Sequence, residues 1–531
     1  MSNDRAGAVS HPDHIALIGC GFAGTSALFQ LVERYPVKRI TVFEATGVFG
    51  PGYPYKPDEC RDYLINNTTD TMCLVPENRQ AFINWLRDTG AAGDVDAKGH
   101  LPRALYGDFL EDVVRTARTI AAIKGIALDL IPAEATGLKE TENGVAITHA
   151  GGTATADAVI LTTGRCPDLD RFGDAVGEGG AQFFPTHVSA TELDGIALDA
   201  TVYVLGTSLS AYDIVNRLFA PGTGSTFERR ADGSLVYQPG PNKRRVILGS
   251  RGGRLKKMQS QQPMKIDRRH FNLAEFQRVA AEKGGLTLEI LADMVKAEAQ
   301  AHGAGIDWAR IADPYEGCAD GEALNARAGE ILARDIAAAR EGGTGNFLVD
   351  MIADAQLDIW DGFAARLMTP EAEKRYRAEM ETGFLTFGAP CPVPTAERLL
   401  ALHEAGVLTV RAGVQAPRRA VAGASIAIGH RYGEDLAELV IDASGGVNRV
   451  VDDPGQSALV ADLARSGLMR GYELAGAAMP GADIDMETFR LRGARNVYAC
   501  NMWLWGPGFF TSSAYLMASF AKRILDRLYS V

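Results

Sequence analysis

Residues 14–24 read His14-Ile15-Ala16-Leu17-Ile18-Gly19-Cys20-Gly21-Phe22-Ala23-Gly24, a short apolar run that ends in Gly-x-Gly-x-x-Gly. The run has the length and composition of a buried strand. Gly19 permits a tight turn, Gly21 lets backbone approach a pyrophosphate, and Gly24 lets the next helix pack closely, with Phe22 and Ala23 opening that helix. The helix N-terminus supplies free N–H groups and a partial positive charge to phosphates. A second strand, Arg39 to Glu44, follows at the right distance. Glu44 stands twenty residues past Gly24, placed to accept from both hydroxyls of an adenosine ribose. Strand, turn, helix, strand and terminal acid in that order predict a dinucleotide site.

The stretch Gly47-Val48-Phe49-Gly50-Pro51-Gly52-Tyr53-Pro54-Tyr55 is too rich in Gly and Pro for a regular element. It reads as a loop at the carboxyl edge of the sheet, where ligands of open α/β folds sit. Tyr63 to Pro76 is polar in its middle, with Asn66 and Asn67 positioned to hydrogen-bond some partner. Gln80 to Gly125 has mainly helical spacing. Ile126 to Gly164 alternates as strands and ends in Leu161-Thr162-Thr163-Gly164, a second turn on the cofactor side.

The same grammar recurs. Thr201 to Leu205 is an apolar strand followed by Gly206-Thr207-Ser208-Leu209-Ser210-Ala211, the fingerprint with small residues in place of the later glycines. A helix is predicted from Tyr212 to Phe219. The next strong strand, Arg245 to Gly249, ends at Ser250-Arg251, where a hydroxyl and a guanidinium suit a ribose 2′-phosphate. Arg254, Lys256 and Lys257 add charge there, and Pro221 to Lys243 reads as a surface insertion. From Asn272 to about Glu381 the chain turns helical, as in Ala274–Glu282, Thr287–His302, Glu322–Arg340 and Pro370–Met380. Strands return at Val407–Ala412, Ala424–His430 and Ala437–Ala443. The last strand, Asn496–Cys500, enters Trp503-Leu504-Trp505-Gly506-Pro507-Gly508-Phe509-Phe510-Thr511 ahead of a terminal helix.

Bulk properties narrow the classes. The 531 residues are too many for one ordinary core, and 46% hydrophobic with 23% charged content is that of a globular protein. A net charge of −12 offers no footprint for nucleic acid or anionic membrane, so neither is expected as a partner. No apolar stretch is long and uncharged enough to span a bilayer. The seven cysteines form no Cys-x-x-Cys pair, and with the polar N-terminus they predict a reducing cytoplasm. The nine histidines lack metal-ligand spacing, so no metal site is expected.

Two fingerprint turns, one ending in an acid and one in an arginine, imply two different dinucleotides: FAD at the first and NADPH at the second. The fold class expected is α/β, with two Rossmann-like dinucleotide-binding domains and a helical insertion. The divisions are 1–195 for FAD, 196–271 for NADPH, 272–385 for the helical substrate region and 386–531 for a return to the FAD domain.

In this order the motifs GCGFAG, GYPY with LINNTTDTM, PRALYGDFL (102–110), VILTTGRCP, VYVLGTSLSAYD, ILGSRGG and WGPGFFTSSA resemble the FAD-NAD(P)-binding family of flavoproteins. That family is related to the flavin-containing and N-hydroxylating monooxygenases. The resemblance implies that Gly19, Gly21, Gly24 and Glu44 hold the ADP half of FAD. It places Asn66 and Met72 near the flavin, and matches Arg103 and Tyr106 to an Arg-x-x-Tyr-Gly signature. It also assigns Gly206, Ser208 and Arg251 to NADPH, and Gly508 and Thr511 to the pyrimidine edge of the isoalloxazine. The turn GTSLSA is poorer in glycine than the family's. The linker motif Phe-x-Gly-x-x-x-His is met only loosely by Phe183 to His187, where His187 is the one catalytic candidate.

The implied activity is monooxygenation of a small molecule by dioxygen through a flavin C4a-hydroperoxide, preferably N-hydroxylation of an amine or amino acid. S-oxygenation and Baeyer–Villiger chemistry stay open. Arg61, Arg79 and Lys265 flank the flavin-side loops and are candidate anchors for a substrate carboxylate. The alternatives are a reductase passing electrons to a quinone or protein partner, and a non-enzymatic scaffold with FAD as structural ligand. Assembly into homo-oligomers is left open.

Overall fold

The computed structural model describes residues 11–56, 63–185, 189–420, 425–511 and 513–530. Two five-stranded parallel sheets organise them. The first runs Val497–Ala499, Ala158–Leu161, His14–Ile18, Arg39–Phe43, Ala127–Ile131. The second runs Gln182–Phe184, Leu439–Asp442, Thr201–Leu205, Arg245–Ser250, Leu408–Ala412. In each, the strand that leads into a glycine turn lies at the centre. Each sheet also sends its outermost strand back to the middle through a three-stranded antiparallel meander. The meanders are Ala135–Thr141, Gly144–His149 and Gly152–Ala156 in the first, and Arg418–Arg419, Ile426–His430 and Gly433–Ala437 in the second. The two units are therefore one plan used twice.

That plan redraws the expected boundaries. The second sheet takes strands from Gln182 to Asp442, well outside 196–271, so parts of 1–195 and of 386–531 belong with it. The physical reason is that parallel neighbours need long crossovers, and strand periodicity does not say which sheet a strand joins. The return to the first sheet comes late, at Val497–Ala499, paired with Val159–Leu161. The two connectors between the units lie against each other: Leu169 N–H donates to Gly446 O (3.1 Å) and Asn448 N–H to Pro167 O (2.7 Å). The surface insertion at 221–243 is a hairpin, Thr226–Arg229 with Leu235–Gln238. Its base is anchored by buried Asn242, whose amide donates to Leu218 O at 2.8 Å.

The helical stretch divides between the cores. Leu324, Ala328, Leu332 and Ile336 of Gly321–Glu341 pack on the second sheet with Val202, Leu248 and Val410. That helix is capped by Asp320, whose carboxylate accepts from Ala323 N–H at 2.8 Å, and stops at Gly342. Phe347, Ile359, Trp360 and Phe363 pack instead into the first core with Leu504, Phe509 and Phe520. Among the described residues no helix is long and apolar enough to cross a membrane, and no cluster of ligating side chains could hold a metal ion.

Lys256 points inward. It is 8% exposed, and its ammonium donates to Leu385 O at 2.6 Å. Burial pushes its pKa from 10.5 down to about 8. A base whose pKa falls on folding destabilises the native state at neutral pH, because the unfolded chain holds the proton more tightly. Stability should recover as pH climbs from about 8 towards 10.5. Lys256→Met, which keeps the volume, is expected to raise Tm at pH 7 by a few degrees and to gain little at pH 10.5. Thermal melts at the two pH values check this; an unchanged or lower Tm at pH 7 would contradict it.

Candidate dinucleotide sites

The first glycine turn is closed by backbone contacts that leave no room for side chains. Gly19 has φ +100°, and a Cβ there would lie 2.6 Å from Thr162 O. Its N–H donates to Phe43 O (2.8 Å). Glu44 Oε2 accepts from the Cys20 N–H (2.8 Å), while its Oε1 accepts from the Thr46 N–H (3.0 Å) and hydroxyl (2.9 Å). The acid at the strand end thus ties the turn to its own loop. Gly50 N–H donates to Cys20 O (2.7 Å), which draws the Gly/Pro loop across the turn until Gly52 and Gly21 meet backbone to backbone. A Cβ on Gly24 would lie 2.1 Å from Gly19 O, so helix Phe22–Arg34 can start here only with glycine. The N–H groups of Phe22, Ala23 and Gly24 have no acceptor among the described residues. Three aligned donors at a helix N-terminus between two glycine loops fit a pyrophosphate.

The Arg-x-x-Tyr-Gly residues build the wall beside this turn. Tyr106 is fully buried, donates to Met72 O at 3.2 Å and packs against Phe22, Tyr55 and Phe82. Gly107 is required because a Cβ there would lie 2.0 Å from Tyr55 O. Arg103 donates to Leu64 O (3.0 Å) and makes a two-point ion pair with Asp213 (2.8 and 3.2 Å), on the helix that follows the second turn. Met72 is buried, and the half-buried Asn66 has a side-chain amide with no partner among the described residues. Gly164, φ +71°, ends the strand-to-turn segment with open space beside it.

The C-terminal loop closes the same edge. Asn501 donates to Thr163 Oγ1 (3.2 Å) and caps the Met502–Trp505 turn. Gly508 sits against Trp360, whose ring would be 2.4 Å from a Cβ. Thr511 is 1% exposed and its hydroxyl has no partner among the described residues. The N–H groups of Phe509, Phe510 and Thr511 likewise have no acceptor among the described residues. Consecutive donors plus an orphaned hydroxyl, just before helix Ala514–Tyr529, match the acceptor-rich pyrimidine edge of a flavin. Arg366, Glu373, Arg377, Glu381 and Arg449 around this loop escaped the sequence reading. Glu373 and Arg377 stand four apart on a helical segment, a spacing that ordinarily marks a solvated pair.

The second turn repeats the first with small residues. Gly206 has φ +135°, its N–H donates to Gly249 O (2.7 Å), and a Cβ would lie 2.7 Å from Ala443 O, as Gly19 does with Thr162. Thr207 and Ser250 share a hydroxyl hydrogen bond (2.9 Å), and Ser250 accepts from Gly253 N–H (2.9 Å). Ser208 is exposed at the head of helix Leu209–Leu218. Arg251 is exposed at the end of its strand with no side-chain partner among the described residues. Its neighbours are engaged. Arg254 donates to Ala312 O, Lys257 pairs with Asp335 (2.5 Å), and Lys256 is buried. The expected patch of free charge therefore reduces to Arg251.

Of the substrate-anchor candidates, Arg79 and Lys265 lie within the described residues. Arg79 is exposed, with its guanidinium over the Tyr515 ring at 5.1 Å. Lys265 is exposed in the segment between strand Arg245–Ser250 and helix Leu273–Lys283. Arg61 and the catalytic candidate His187 lie outside the described residues.

Residues 16–166 match the FAD-NAD(P)-binding family model. The protein YdhS of Escherichia coli (strain K12) is 26% identical over 213 residues, which are 38% of this chain and 38% of that protein. The ornithine N-hydroxylase KtzI of Kutzneria sp. 744 superimposes over 98% of this chain and 99% of its own, at 13% identity and a TM-score of 0.52. The L-lysine 6-monooxygenase of Pseudomonas syringae covers the same shares at 15% identity and a TM-score of 0.49. At such identities the likeness to KtzI speaks for the fold, the paired Rossmann-like arrangement traced above. The stretch matched by the family model includes the glycine turn and Glu44.

Proposed function

We propose that this protein is an FAD- and NADPH-dependent single-component monooxygenase that N-hydroxylates a small amine or amino acid. The observation that carries it is the pairing of two like sheets whose turns differ in charge: Glu44 closes the first, and Arg251 stands at the second with no side-chain partner among the described residues. The fold of KtzI, described as an ornithine N-hydroxylase, supports the choice of reaction. Cys20, Cys73, Cys166, Cys391 and Cys500 are buried free thiols, and burial pushes each of them up, Cys73 and Cys166 to about 11.

When bound, FAD would accept reducing equivalents from NADPH and deliver them to dioxygen. The chain's own part is binding, orientation and exclusion of water. The Phe22–Gly24 donors would hold the pyrophosphate, and the Phe509–Thr511 donors the flavin edge. Trp360, Phe363, Tyr376 and Phe509 would keep the flavin end dry.

An amine must be neutral to take up oxygen, so product formation should rise with pH across about 6 to 9, below the amine's own pKa. The test measures hydroxylamine and peroxide per NADPH consumed, with candidate amines and amino acids. Hydroxylamine matching NADPH, with the alkaline rise, is the expected result. Peroxide alone with every amine would favour the reductase reading, in which a quinone or protein accepts the electrons.

A further inference from the structure

The loop ahead of the terminal helix is held by its carbonyls. Arg377 donates to Gly508 O (2.8 Å) and Trp505 O (3.3 Å), and Arg366 donates to Pro507 O (3.0 Å). Both guanidiniums converge on Glu373, which is 2% exposed: Arg377 at 2.7 Å, Arg366 at 3.8 Å. Trp505 is fixed further by its indole N–H on Glu381 (2.8 Å) and by Arg449 over its ring at 4.5 Å. Two backbone irregularities lie under the clamp. Tyr376–Met380 is a π-helical turn that carries Arg377, and Arg366 sits in the left-handed region at φ +54°. Turns of the first kind are rare and recur at functional sites. The second costs about 1 kcal/mol for a side-chain-bearing residue.

Gly508 C=O and Phe509 N–H belong to one trans peptide unit and therefore point in opposite directions. Fixing that carbonyl on Arg377 aims the Phe509 N–H away from the helical insertion. The guanidinium also polarises the peptide and strengthens its N–H as a donor. Beside it, Tyr376 packs on Phe509 with a buried hydroxyl that has no partner among the described residues.

We propose that Arg377, held by Glu373, is the positioning residue that aims the Phe509–Thr511 donors at the isoalloxazine. The inference rests on the FAD reading of this loop. It predicts that the helical insertion controls the flavin end of the cofactor and leaves the ADP end alone.

The test uses apoprotein of wild type, Arg377→Lys, Arg377→Met and Glu373→Gln, titrated separately with FAD and with ADP. Arg377→Met and Glu373→Gln should each bind FAD about tenfold more weakly (about 1.4 kcal/mol) and show a shifted visible flavin band. ADP, which needs only the Gly19–Gly24 turn, should bind as in wild type. Arg377→Lys should recover part of the loss and so shows that folding is intact. FAD affinity and spectrum unchanged in all three variants, or FAD and ADP affinities falling together, would overturn the proposal. A wild-type apoprotein that binds ADP but gains nothing from the flavin half would overturn the flavin assignment of the loop itself.

Discussion

Gly24→Val is expected to strip FAD from the protein. A Cβ at this position would lie 2.1 Å from Gly19 O, a backbone atom that accepts from Thr162 Oγ1 (2.6 Å) in a residue whose N–H is tied to Phe43 O. The turn or the helix must shift by more than an ångström, which moves the Phe22–Gly24 donors off the pyrophosphate. Overpacking of this kind costs about 3 kcal/mol, on the order of a hundredfold in affinity. Purified Gly24→Val should be colourless where wild type is yellow, as read from the ratio of flavin to protein absorbance. Gly222→Ala is the matched control, because a Cβ there meets nothing within 4 Å. A yellow Gly24→Val protein with full flavin content would sink the assignment of the first turn.

Arg251→Ala should erase any preference for NADPH over NADH. The guanidinium stands exposed at the end of strand Arg245–Ser250 with no side-chain partner among the described residues, while Arg254, Lys256 and Lys257 are turned to other partners. A charge-assisted pair with a 2′-phosphate is worth about 1.5–3 kcal/mol, so KM for NADPH should rise roughly 10- to 100-fold. KM for NADH, which lacks that phosphate, should change little. Equal rises for both coenzymes would mean that Arg251 supports the strand end without reading the phosphate.

The parts of this fold legible in the sequence are those that steric necessity writes into single residues. Gly19, Gly24 and Gly206 cannot be anything else where they stand, so both turns were visible, and with them the strands on either side. Sheet membership was not. Leu408–Ala412 and Ala127–Ile131 look alike as apolar strands, and only the folded chain assigns the first to the second sheet. Charge was misread for a related reason. Lys256 and Lys257 sit beside Arg251 in sequence, yet one is buried against Leu385 O and the other paired with Asp335. The Glu373–Arg377 clamp reads as an ordinary helical pair until Gly508 is found beneath it. Sequence spacing carries local geometry well and long-range burial poorly.

The central claim is that the two turns bind different dinucleotides and exchange reducing equivalents. Anaerobic mixing of the purified protein with one equivalent of NADPH, followed at the visible flavin band, tests it most directly. The account predicts that the band bleaches, and that it bleaches markedly more slowly in Arg251→Ala. A protein that holds FAD but keeps its full visible absorbance under NADPH and NADH alike would contradict it.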